Sequence, residues 1–405
     1  MNKKYMRLER NKNDRFTMAI LVFLCVFLIT KEIRAFSGSD VSGGVWNIIQ
    51  LLFAGLGFIK LLQNCLILPQ RPVFFTILLY TASAFLFAIP LMDTLAINTL
   101  FALLMILLPG LSFVLFYCVG LKIDVGKKNL LFPTFFIIAV ILISALLRYY
   151  NQTTVDDERG AIADVYYILG LLPIVLAATK KKWVFVPIFV TALAVIVSTK
   201  RAGLLALAAM LIVYFLFALA RERSLKKFAK ILLVFILVAV LLVSFYLFMD
   251  QKFPDMRLLD RLFGLSEDGG SGRDVIWKQT WDAIASSDVL HLIFGHGKKA
   301  LADVRGNAHN DFLQVFYEHG LIAFLSYIAF YLALIVELVR MVRAKYPRAD
   351  LFAMSILCAL FLAMFSFYVI APTYVVCGML CFGFFLADFH KFQAHERGIN
   401  DADCD

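Results

Sequence analysis

Cysteine, metal-ligand spacing and internal repetition are all scarce in this chain. Only seven of the 405 residues are cysteine, and none lies in the longest hydrophilic stretch, residues 250–311. A disulfide-stapled scaffold is thereby excluded. Four of the six histidines, His291, His296, His309 and His319, fall within one short region, yet their separations match no usual zinc pattern and no cysteine is near. No metal and no other cofactor is expected. No repeat of fixed period and no low-complexity tract occurs, so repeat architectures are set aside. What the chain has in abundance is apolar surface: 62% of residues are apolar and the mean hydropathy is +0.84. A soluble domain carries about 45–50%, so a cytosolic globular enzyme and a disordered chain are both excluded.

Apolar runs cut by charge, proline and glycine predict twelve membrane helices, roughly 16–30, 45–62, 73–92, 95–121, 130–147, 161–178, 183–198, 202–220, 229–249, 312–339, 351–370 and 373–389. At about 20 residues each they would use roughly 240 residues, close to what the composition offers. The expected class is therefore an all-α polytopic membrane protein. Helices 1–9 occupy 1–249, one long outer loop with short helices occupies 250–311, helices 10–12 occupy 312–389, and 390–405 form a tail. The N-terminal arm carries Lys3, Lys4, Arg7, Arg10, Lys12 and Arg15, which places it and, with an even number of spans, the other end in the cytoplasm.

The net charge of +10 then has a topological meaning. Twenty-five of the 39 Lys and Arg fall on the cytoplasmic side, and eight of the remaining fourteen belong to the long outer loop, where the positive-inside rule has little force. Membrane lipids, not nucleic acid, are the implied partner of this charge. A transporter of two six-helix halves usually has its longest loop at the middle and inside. Here that position is only Thr179–Lys182.

The informative charges are those that topology does not require. Lys200 and Arg201 sit at a tight outer turn, in Ser198-Thr199-Lys200-Arg201, against the positive-inside bias. They either reach phospholipid head groups or wait for an anion. Within the outer loop, Ser271-Gly272-Arg273-Asp274 matches a capping box, with Ser271 as the cap and Arg273 in the first turn, where a helix dipole disfavours a cation and favours a bound anion. Trp277, Trp281 and Ile284 follow on one helical face. In Asn307-Ala308-His309-Asn310-Asp311, Asn307 is the expected cap and His309 falls in the first turn, where the dipole keeps imidazole neutral, as a general base requires. His291 and His296 read as loop residues. Arg159 and Asp164, beside the sixth span, are either solvated or line a site.

These residues together resemble the O-antigen ligase and O-antigen polymerase superfamily of bacterial envelope glycosyltransferases. The likeness rests on the span count, the late outer loop, Ser198-Thr199-Lys200-Arg201, Ser271-Gly272-Arg273, and His309-Asn310 followed by Phe312-Leu313 and Gly320-Leu321. It implies a fold like that of GT-C-type glycosyltransferases. The implied activity is metal-independent, inverting transfer of a glycan from undecaprenyl diphosphate, at the periplasmic face of the inner membrane, to a lipid A-core sugar or to a second lipid-linked repeat. On that resemblance Arg201 and Arg273 hold the diphosphate and His309 is the base; Lys200, Asn310, Arg159 and Asp164 are expected, from their own positions, to bind the substrate around them. Trp277 and Trp281 either stack on sugars or pack onto the membrane surface. A paired Arg-x10-Gly pattern associated with polymerases occurs as Arg159…Gly170 and Arg261…Gly272, but Gly170 falls inside a span. Ligase is favoured over polymerase, with a transporter or flippase the minor alternative.

Overall fold

The computed structural model describes residues 40–64, 71–88, 97–122, 165–180, 183–198, 200–221, 272–298, 300–301, 307–366, 369 and 372–396, together with single helical positions between 226 and 251. Among the described residues every regular element is a helix. In chain order they are α1 (Asp40–Asn64), α2 (Pro72–Ala88), α3 (Ile97–Lys122), α4 (Val165–Ala178), α5 (Phe185–Val197), α6 (Arg201–Arg221), α7 (Arg273–Ala285), α8 (Val289–Phe294), α9 (Asp311–Arg343), α10 (Ala349–Phe365) and α11 (Pro372–Glu396).

Four of these are long and apolar enough to cross a membrane: Met105–Lys122, Ala202–Arg221, Asp311–Arg343 and Tyr374–Glu396. Shorter apolar helices stand at Gln50–Gln63, Pro72–Ala88, Val165–Ala178, Phe185–Ile196 and Ala349–Phe365. The protein is thus a multi-pass helical membrane protein. Nine of the twelve expected spans have a helix at their place, while 16–30 and 130–147 lie outside the described residues and 229–249 is described only at isolated positions. Those positions, among them Leu233, Ile236, Val240, Val243 and Leu247, are all exposed.

Because lipid is as apolar as a leucine side chain, helices associate in membranes by close packing at small residues. α3 and α11 show this. A Cβ at Gly383 would lie 2.7 Å from the Tyr117 backbone N, and one at Gly120 would lie 2.9 Å from the Ala387 Cβ. Around this seam Phe113, Phe116, Phe330, Phe352, Phe382, Phe384 and Phe385 are fully buried in one large core. Pro109 and Pro173 sit inside α3 and α4. Prolines are tolerated within membrane helices because neighbouring helices and local backbone adjustment satisfy the freed carbonyls.

The helix ends sort into two faces. At one, arginines and lysines that sequence reading assigned to topology make specific ion pairs. Arg71 donates to Glu337 Oε2 at 2.8 Å and to Gln393 Oε1 at 2.9 Å, and Arg340 donates to Glu337 Oε1 at 2.5 Å. Arg221 pairs with Asp350 and Arg348 with Asp388, while Lys391 donates to Gly120 O. The ends of α2, α3, α6, α9, α10 and α11 are tied together there. α7 and α8 lie at the opposite face, with the start of α4, the α5–α6 turn, the start of α9 and the α10–α11 connection.

Candidate active site at the loop face

α7 begins at Arg273, but its cap is not the expected one. Gly272 occupies the cap position with φ 71 and ψ 8, and no side chain accepts there. A Ser cap requires extended backbone, and the left-handed turn at Gly272 takes its place. Ser271 itself lies outside the described residues. The buried face of α7 also differs from the expected Trp277–Trp281–Ile284 stripe. Thr280 and Ile284 are buried, Trp277 is half-buried, and Trp281 is 54% exposed. Spacings of 4+3 and 3+4 both describe one helical face, and the tertiary partner decides between them. That partner is the loop before α9. The Trp277 Nε1–H donates to Ala308 O at 2.9 Å, and its ring packs on Phe365 at the end of α10.

The cap of α9 is Asn310 rather than Asn307. Asn310 is extended, φ −153 and ψ 109, and its Oδ1 accepts from Phe312 N at 3.0 Å and Leu313 N at 3.2 Å. Asn307 instead accepts from the Gln314 Nε2 at 3.2 Å. His309 therefore stands just before the helix, not in its first turn, and adopts φ 51, a left-handed conformation rare for a side-chain-bearing residue. Its ionisation still shifts as expected, for another reason. Burial lowers its pKa most, followed by Arg273 and then Lys200. The lowering favours the neutral imidazole, and its causes bring His309, Arg273 and Lys200, from three separate elements, within electrostatic reach of one another.

Lys200 precedes α6, its backbone N–H directed to Ser198 Oγ at 3.3 Å. Arg201 is the first residue of α6; its side chain lies outside the described part of the structure. Arg159 and Asp164 lie outside the described residues. Sequence reasoning missed Tyr166, near the start of α4: its phenol is hydrogen-bonded to Ser366 and within electrostatic reach of Arg273. Tyr374, at the start of α11, packs edge-on to Tyr166 at 5.4 Å. Tyrosines in an apolar run carry no signal of this role.

Beneath the site lies a buried polar layer on α9. Asp311, wholly buried, accepts from Val369 N at 2.6 Å and from the Tyr327 hydroxyl at 3.3 Å, which ties the α10–α11 connection to the start of α9. Gln314 donates through Nε2 to Glu318 Oε1 at 2.9 Å and accepts from Ala308 N at 3.3 Å. Ile284, Leu301, Ala308 and Tyr317 form a second small core against this layer.

Of the clustered histidines, His291 lies in α8 rather than in a loop, and His296 lies in the following turn as expected. The two rings stack at 4.6 Å, and His296 stacks on Tyr317 at 4.1 Å. That turn docks on a kink. At Gly320, φ 77 and ψ −180 break α9, and the carbonyls freed there accept from His296 N and Gly297 N, each at 3.0 Å. Among the described residues no three His, Cys, Asp or Glu side chains are placed to share a metal.

Two cations beside a neutral imidazole, backed by tyrosine hydroxyls, can hold an anionic leaving group next to a base. Residues 186–328 match the family model described as O-Antigen ligase, a stretch that runs from α5 into α9 and contains Lys200, Arg201, Arg273, Trp277, Trp281, His309 and Asn310. No curated protein matches the chain.

Proposed function

We propose that the chain is an O-antigen ligase of the bacterial inner membrane, a reading supported by the match of residues 186–328 to the O-Antigen ligase family model. The donor is a glycan on undecaprenyl diphosphate, and the acceptor is a hydroxyl of a lipid A-core sugar at the periplasmic face. The chain spans the membrane twelve times in a GT-C-like arrangement, both termini lie in the cytoplasm, and α7 and α8 belong to the periplasmic loop.

In this reading His309 removes the proton from the acceptor hydroxyl as its oxygen attacks the anomeric carbon. The bond from that carbon to the diphosphate oxygen breaks on the opposite side, its electron pair leaves with the diphosphate, and configuration inverts. Arg273, Lys200 and Arg201 neutralise the charge that grows on the leaving group, a preorganised electrostatic role that a metal ion fills in other phosphate chemistry. Asn310, whose Oδ1 serves the helix cap, supports His309 from the following position. Arg159 and Asp164 line the entrance, and Trp281, exposed on α7, offers a sugar platform.

The observation that carries the proposal is that the half-buried His309 lies within electrostatic reach of both Arg273 and Lys200. The test is chemical. Membranes carrying Arg273→Lys or His309→Ala are assayed for transfer of lipid-linked polymer to lipid A-core. If the diphosphate is held by two parallel guanidinium hydrogen bonds, lysine fails to restore transfer; full activity in both variants would sink the mechanism. Deleting the gene separates the relatives of this reading. A ligase deletion leaves bare core with long polymer on the carrier, a polymerase deletion leaves core with one repeat, and a flippase deletion strands the repeat in the cytoplasm.

A further inference from the structure

Ala308, immediately before His309, is held from both sides. It is completely buried. Its N–H donates to the buried Gln314 Oε1 at 3.3 Å, and its carbonyl accepts the Trp277 Nε1–H at 2.9 Å. Gln314 is fixed in turn, since its Nε2 donates to both Asn307 Oδ1 and Glu318 Oε1. On the other side of His309, Asn310 is locked by the two backbone N–H groups it caps. The φ of 51 at His309 is therefore imposed by fixed peptide planes before and after it. A side-chain-bearing residue keeps such a conformation only where its surroundings over-determine it, and such residues gather at functional sites.

The clamp is also built into the helix that carries Arg273. Trp277 lies four residues after Arg273, one helical turn along the same face. One rigid helix thus sets the guanidinium and the strut that fixes the imidazole, so the distance between anion site and base is a property of α7.

We propose that Trp277 and Gln314 are positioning residues, which clamp Ala308 between them and so hold the His309 imidazole against the Arg273 and Lys200 cations. The proposal rests on the reading of His309 as the base, and it assigns Trp277 a role in the free enzyme distinct from stacking on a sugar. Among the described residues, the charged groups that act on His309 include Arg273, from α7, and Lys200, from the α5–α6 turn.

The experiment uses the full chain in lipid nanodiscs. Carbethoxylation of His309 by diethyl pyrocarbonate is followed by mass spectrometry as a function of pH, in the wild type, Trp277→Phe and Gln314→Met. The wild-type midpoint lies below the ordinary histidine value of about 6.5. Release of the clamp lets the imidazole leave its buried place beside two cations, so both variants move the midpoint upward toward that value and speed the modification. In the transfer assay kcat falls roughly five- to tenfold, the effect of one lost hydrogen bond, with little change in donor KM. Should Trp277→Phe fail to fold, benzothienylalanine at 277, which keeps the ring shape and lacks the N–H, carries the same test. Midpoints that coincide with the wild type in the folded variants overturn the proposal. So does a rise in donor KM with an unmoved midpoint, which would make Trp277 a sugar platform. Full transfer by His309→Ala removes the base while the modification midpoints still judge the clamp.

Discussion

Gly320→Ala isolates the cost of the kink on which the 295–297 turn is seated. At φ 77 and ψ −180 the residue occupies a region that is essentially reserved to glycine, at a cost of about 1–3 kcal/mol for a side-chain-bearing residue. Relief by local adjustment is blocked. The added Cβ would lie 2.3 Å from Ile293 O and 2.6 Å from Gly295 N, both backbone atoms that no rotamer change can move aside. The turn must lift, which gives up the two hydrogen bonds from His296 N and Gly297 N, about 1 kcal/mol each, and the His296–Tyr317 stack, about 0.5–1.5 kcal/mol. The total is about 3.5–6.5 kcal/mol, charged against docking of this turn rather than against the whole bundle. At about 1.4 kcal/mol per decade, the His296 and Gly297 amides should exchange with solvent roughly 2.5 to 4.5 decades faster. Hydrogen exchange of the protein in nanodiscs, read at peptides covering 291–298, measures this. Gly272→Ala is the internal contrast: its φ of 71 is also left-handed, yet among the described residues no atom beyond its chain neighbours lies within 4 Å of the added Cβ, so the effect stays local to the α7 cap. Exchange within tenfold of the wild type at both amides in Gly320→Ala would refute the reasoning.

Lys200→Met removes the smaller of the two cationic influences on His309. His309 is the active base when neutral and its pKa is depressed, so loss of a cation raises that pKa and moves the acid limb of the pH–rate profile upward; Arg273→Gln moves it further. An unmoved limb in both contradicts the shared site. At the opposite face, Glu337→Leu leaves Arg71 and Arg340 with no carboxylate between them. Removing one partner of a buried pair costs about 3–5 kcal/mol, and the partial exposure of both arginines brings this to roughly 2–3. A lowered midpoint of thermal unfolding in detergent, with the His309 limb unchanged, is the expected result.

Periodicity and apolar length made most of the described helices legible, because a membrane span must be long and apolar whatever it packs against. Local patterns did less well where two solutions share one signature. Asn307 and Asn310 both precede α9, and only the packing of Gln314 against Asn307 leaves Asn310 to cap it. Thr280 and Trp281 both complete a face with Trp277 and Ile284, and the position of Ala308 chooses Thr280. The lowered His309 pKa followed from sequence in direction but not in cause. A dipole was available in the local pattern, whereas burial and Lys200 are products of long-range folding. The largest omission lies among the topological cations. Arg71, Arg221, Arg340 and Arg348 were read through their side of the membrane alone, yet Glu337, Asp350 and Asp388, carboxylates within helices, pair with them. An acid inside an apolar run is costly unless it is matched, and that cost was the available signal.

The length of α9 explains why the site stands where it does. Its 33 residues would extend about 50 Å at 1.5 Å per residue, well beyond a hydrocarbon layer of about 30 Å. The part after Gly320 alone covers about 34 Å, enough to cross it. The kink therefore falls near the boundary, and residues 311–319 rise above it. This accounts for their chemistry: Asp311, Gln314, Glu318 and His319 are all buried within the protein there. It also accounts for the anchoring, since Phe294 of α8 packs on Phe87 at the end of α2 just as the following turn closes on Gly320. A donor whose diphosphate joins a lipid chain to a glycan carries its charge at that same boundary. On the proposed reading, Arg273, Lys200 and His309 stand one short helical segment above the kink, where the diphosphate of such a donor would lie while its lipid chain remains in the bilayer.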